Sequence, residues 1–103
     1  MSIHDVAVGG ATEPFDPSDA KRRIRSILES GTVTPSGHAF DEMARDNLTL
    51  VDCVNVLRGG YPDPAEWENG SWRYRVRTAR ICVVIAFRSE QELVIVTAWR
   101  ERP

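Results

Sequence analysis

The chain has 103 residues, 42% of them hydrophobic, and a formal net charge of −2. That size suits one small core and excludes two ordinary domains, and the mildly acidic balance argues against indiscriminate nucleic-acid binding. The longest apolar run, Ile81–Phe87, is far shorter than the roughly 20 residues that span a bilayer, so no membrane partner is expected.

Residues 1–15 show neither helical nor strand periodicity and contain Gly9, Gly10 and Pro14. They are expected to form a flexible arm ahead of a single domain over 16–103. No basic cluster followed by an apolar stretch opens the chain, so the expected location is cytoplasmic. A first helix should start at Asp16, a good N-cap, with Pro17 at the first helical position and Asp19 three residues after the cap. Ala20, Ile24, Ile27 and Leu28 fall on one face, and Gly31 ends the helix. Lys21, Arg22, Arg23 and Arg25 fall outside that face, as a basic patch or as an ordinary solvated surface.

A second helix follows Ser36 as N-cap and carries Ala39, Phe40, Met43 and Ala44. A third begins near Thr49, with Asp52 three residues on, carries Leu50, Cys53, Val54 and Leu57, and ends at Gly59-Gly60. The period then changes from 3.6 to two. Tyr61–Glu68 is a proline-bearing strand and therefore an edge. Asn69-Gly70 is a strong hairpin signal. Ser71–Thr78, Arg80–Phe87 and Glu92–Trp99 follow as strands. The predicted fold class is α+β, with N-terminal helices packed on one face of a C-terminal antiparallel β-sheet meander. In the last strand, alternation puts Leu93, Ile95, Thr97 and Trp99 on one face and Val94, Val96 and Ala98 on the other.

Ser71–Arg77 reads Ser-Trp-Arg-Tyr-Arg-Val-Arg. As a strand it would show Trp72, Tyr74 and Val76 on one face and Arg73, Arg75 and Arg77 on the other. Three adjacent guanidiniums repel one another, and phosphate or carboxylate is their usual partner. They are candidates for RNA phosphate binding, or for a solvated outer face. Charge is also uneven along the chain. Residues 36–70 carry seven carboxylates against two arginines, and residues 71–103 carry seven arginines against three glutamates.

His38 falls in the first turn of the second helix. The positive end of a helix favours the neutral imidazole, which can then act as a base; capping or packing is the other reading. Nucleotide-binding and nucleophile-elbow motifs are absent from the sequence, and Cys53 and Cys82, each among aliphatic neighbours, read as buried thiols. No cofactor or metal is expected.

The run Ser36-x-His38-Ala39, then Met43-Ala44-Arg45, an apolar helix Val51–Leu57 ending in Gly59-Gly60, Trp-Arg-Tyr-Arg-Val, and a closing Val94-Ile95-Val96-Thr97 resembles a bacterial family of small domains. That family is itself similar to the RelE/BrnT/MqsR group of toxin endoribonucleases. The layout is similar to MqsR over about residues 20–101, with a Gly31-Thr32-Val33 turn after the first helix and Trp99-Arg100 ending the sheet. The resemblance implies the toxin component of a toxin–antitoxin system. Its activity would be metal-independent mRNA cleavage, with mRNA and a cognate antitoxin as partners. In such cleavage the RNA 2′-OH attacks the adjacent phosphate, and the protein supplies a base, a proton donor and cations for the developing charge. The implied catalytic set is His38, Arg73, Tyr74 and Arg100. Arg73 matches a polar residue after a strand tryptophan, and Arg100 a basic residue ending the last strand. The family's strand tyrosine falls near Cys82–Val84 here, and Tyr74 stands in for it. The alternatives are a non-catalytic protein-interaction or regulatory module of the same fold, or a single-strand RNA binder without cleavage.

Overall fold

The computed structural model describes residues 7–8 and 11–102. Elements run β1 (Ala7–Val8), β2 (Ala11–Thr12), α1 (Pro17–Ser30), β3 (Thr32–Pro35), α2 (Gly37–Arg45), α3 (Leu50–Gly59), β4 (Tyr61–Pro62), β5 (Glu66–Glu68), β6 (Ser71–Arg77), β7 (Ile81–Ser89) and β8 (Glu92–Arg100). The fold is α+β. Among the described residues no helix is long and apolar enough to cross a membrane.

The helix starts follow from capping chemistry. Asp16 accepts from the Asp19 amide, and Ser36 accepts from the Ala39 amide. Thr49 and Asp52 cap α3 reciprocally, each side chain accepting from the other's backbone amide. Those bonds hold the Asp52 carboxyl below its usual range. Gly60 closes α3 with its amide on the Val56 carbonyl. A Cβ there would lie 2.6 Å from the Arg77 carbonyl oxygen, so glycine lets the helix end sit directly against β6.

The three helices cover one face of the sheet. Ile24 and Ile27 of α1, Met43 of α2 and Leu57 of α3 meet Tyr74, Val76, Val83, Ile85, Leu93 and Ile95 in one buried cluster. Burying each large aliphatic side chain contributes about 1.5–3 kcal/mol. Strands β6, β7 and β8 form the predicted antiparallel meander. Asn69 and Gly70 both take positive φ, 49° and 84°, as the tight hairpin turn requires. The predicted edge strand is split. Its two ends, β4 and β5, each pair with β6, and Asp63–Ala65 interrupts them around Pro64.

Four expectations are corrected. Thr32–Pro35 is not a turn: it pairs parallel with β8, from Thr32 opposite Glu92 to Pro35 opposite Ile95, so the sheet is mixed. A four-residue strand has too few alternations to be read from the sequence. Second, simple alternation fails in β8. Val84 faces Thr97, but Ile85 faces Ile95, so Val96 is an extra residue. The bulge lets Leu93, Ile95 and Ala98 all reach the core, and it turns Thr97 and Trp99 to the opposite face. Third, Lys21 is not on the outer surface. It is 7% exposed, and its ammonium donates to the Leu57, Arg58 and Gly60 carbonyls at the end of α3. Those carbonyls have no partner within their own helix, and a cation there also opposes the helix dipole. Fourth, the end of the predicted arm is held in place. Phe15 is in the core, and Glu13 bonds to Tyr74. Residues 1–6, 9 and 10 of that predicted arm lie outside the described residues.

Candidate functional site

The face of the sheet away from the helices carries the arginine stripe. β6 alternates as its sequence requires: Tyr74 and Val76 point into the core, and Arg73, Arg75 and Arg77 point out. Cys82 and Trp99, paired across β7 and β8, lie on the same outer face. Cys82 is nonetheless buried, and burial pushes its thiol up to about 11. Cys53, inside the core, is likewise pushed up to about 11 by burial. Both are free thiols and stay protonated near neutral pH.

Two of the three guanidiniums are occupied by carboxylates of the same chain. Arg77 donates to Asp63 Oδ2 at 2.8 Å and to Glu101 Oε2 at 2.7 Å. Arg75 donates to Glu66 and lies 3.8 Å from Glu68. The hairpin register makes the Arg75 pairs. β5 sets Glu66 opposite Arg73 and Glu68 opposite Ser71, which brings both glutamates onto the arginine face. Acids on both sides of the stripe in sequence, Asp63, Glu66 and Glu68 before it and Glu101 after it, thus meet its arginines.

Arg73 differs. Its side chain is 15% exposed, its Nε donates to Ser71 Oγ at 2.9 Å, and its nearest carboxylate oxygen, on Glu68, is 4.0 Å away. It lines a cavity of about 340 Å³ with Ser36, Ser71, Ala86, Phe87, Arg88, Val94 and Val96. The cavity therefore combines two guanidiniums and two hydroxyls with an apolar wall. No carboxylate is among its lining residues. Arg88 has no side-chain hydrogen bond or ion pair among the described residues. Sequence reasoning missed Arg88, although its place just after the apolar run of β7 put it at the end of a central strand beside Arg73's row.

The rest of the predicted set is dispersed. Tyr74 is fully buried. Its hydroxyl accepts from the Phe15 amide at 3.0 Å and donates to Glu13 Oε2 at 2.9 Å, and its ring lies 5.1 Å from that of Phe87. Burial pushes its phenol further up, so it holds the N-terminal segment on the core and reaches no substrate. Arg100 lies on the helix side of the sheet. It donates from Nε to the Asp46 carbonyl at 2.8 Å and from Nη2 to the Asn47 carbonyl at 3.1 Å, bracing the turn between α2 and α3. His38 sits at the other end of α2, 69% exposed in its side chain, with Nε2 3.9 Å from Glu42 Oε2. Nine helical residues rise about 12 Å, so His38 and Arg100 do not share a groove. His38 is closer in sequence to the Arg73 cavity, because Ser36, two residues earlier, both caps α2 and lines that cavity.

No group of three or more metal-ligating side chains converges among the described residues. Comparison with family models, curated proteins and solved structures finds no match for this chain.

Proposed function

We propose that this chain is a RelE/MqsR-like module that binds single-stranded RNA across the open face of its sheet. The observation that carries this is the Arg73–Arg88 cavity, where two guanidiniums stand without a carboxylate among the lining residues. Guanidinium forks match phosphate oxygens, and the adjacent Ser71 and Ser36 hydroxyls suit ribose or phosphate. Trp99, turned onto the same face by the bulge, offers a ring for a base. The dispersal of His38, Tyr74 and Arg100 favours binding over cleavage, because the proton-transferring pair is not assembled.

A second reading is the toxin endoribonuclease, neutralised by a cognate antitoxin. Its support is the helix that begins at the cavity wall and carries His38 in its first turn. One assay separates the two. Purified protein is mixed with end-labelled single-stranded RNA in a chelator, and both retention and fragments are followed. The expected result is salt-sensitive binding of intact RNA, weakened about tenfold or more in the double variant Arg73→Ala, Arg88→Ala. Fragments that disappear in His38→Ala, together with growth arrest on induced expression, would establish the nuclease instead. A chain that retains no RNA would be read as a protein-interaction module.

A further inference from the structure

A second cationic groove lies on the other side of the sheet, where the last turn of α3 enters β4. It encloses about 440 Å³ and is lined by Lys21, Arg22, Arg25, Arg58 and Tyr61, with Ser18, Gly59 and Gly60. The end of a helix is ordinarily unfavourable for an anion, because its free carbonyls carry partial negative charge. Here that obstacle is removed. Lys21 donates to the Leu57, Arg58 and Gly60 carbonyls, so the groove floor holds a fixed positive charge in place of exposed oxygens.

The walls add to it. Arg22 is paired with Asp19, one helical turn back and outside the lining. Arg25 and Arg58 have no carboxylate partner among the described residues. Arg58 has only a 3.3 Å hydrogen bond to the Asn55 side chain. No carboxylate lines the groove. The stripe on β6 meets four acids of the same chain; this cluster meets one. At its rim Tyr61 is 54% exposed and, paired opposite Arg77, shares that residue's face of the sheet. Two guanidinium forks without a carboxylate partner, beside the Lys21 ammonium, suit a phosphate group.

We infer that this groove is a binding site for a phosphate ester, with Arg25 and Arg58 on the phosphate oxygens. The phosphate can come from a free mononucleotide or from one residue of an RNA strand. The site shares no residue with the open-face cavity, so it stands independently of the function proposed above.

The test is a nuclear magnetic resonance titration of the isotope-labelled full chain with four probes: 5′-AMP, adenosine, inorganic phosphate and a short single-stranded RNA. The expected result is saturable movement of the Gly59, Gly60 and Tyr61 amides and of the Arg25 and Arg58 Nε–H signals with 5′-AMP. Adenosine should leave them in place. The double variant Arg25→Gln, Arg58→Gln should weaken 5′-AMP about tenfold or more, and its exposed positions keep the fold intact. Arg73→Ala with Arg88→Ala should change none of this, which separates the groove from the open face. RNA binding at these signals more tightly than 5′-AMP assigns the phosphate to a strand, and the reverse order assigns it to a free nucleotide. No movement at these positions with either 5′-AMP or RNA overturns the inference. So do shifts that survive in the Arg25/Arg58 variant.

Discussion

Single side chains near the Tyr74 hydroxyl connect the N-terminal segment to the core, and one of them titrates. Glu13 accepts from Tyr74, yet burial outweighs that bond and the field of Arg23, and its carboxyl is raised above the ordinary 4.5. A carboxyl raised in the folded state takes up its proton there first. The unfavourable contribution of the buried carboxylate is therefore fully present above the folded pKa. It is relieved as pH falls toward 4.5, below which both states are protonated. Glu13→Gln keeps an oxygen to accept from Tyr74 without the charge. The variant should melt higher than the wild type at neutral pH, and the two melting curves should converge as pH drops through about 4.5. Parallel pH profiles for the two proteins would show that Glu13 does not carry this linkage.

At the scale of elements, the β5–β6 turn decides more than its two residues suggest. Asn69-Gly70 sets which acid faces which arginine, and a register slip of one residue would turn Glu66 and Glu68 away from the stripe. Gly70 has φ +84°, and a Cβ at that position would meet nothing within 4 Å. The cost of Gly70→Ala is therefore conformational alone, about 1–2 kcal/mol. Urea denaturation should show that loss as a shifted midpoint with an unchanged slope. A stability equal to the wild type would mean that the turn relaxes to another type. The bulge at Val96 is the matching device in β8, where one inserted residue redirects Trp99 from the core to the open face.

Across the whole molecule, charge is arranged so that two arginines of the β6 row are neutralised and two cationic pockets are left. Arg75 and Arg77 stand in ion pairs with Glu66, Glu68, Asp63 and Glu101. Partly exposed pairs of this kind contribute about 0–1 kcal/mol each. Replacing both by Ala should lower stability only modestly. RNA affinity should hold, while Arg73→Ala with Arg88→Ala lowers it without a comparable loss of stability. A filter-binding series on the two double variants checks this. Equal losses of affinity would mean that the acids yield to phosphate and that the full stripe takes part.

The sequence alone determined the elements whose causes are local. Asp16, Ser36 and Thr49 start the helices, Asn69-Gly70 turns the hairpin, and the alternation in Ser71–Arg77 puts three arginines on one face. Each rests on interactions within about four residues, so each could be read directly. Only the tertiary structure decided what met those residues. Lys21 looked solvated because nothing near it in sequence shows that the end of α3 lies against it. Tyr74 looked available because its hydroxyl is engaged by Phe15 and Glu13, 59 and 61 positions away. The arginine stripe looked uncompensated because its acids come from segments on either side of it, and a count along the chain keeps them apart. His38 and Arg100 looked like partners until α2 was found to hold them at opposite ends. Function depends on which groups converge, and convergence across long sequence separations is set by packing and strand register, which local periodicity does not encode.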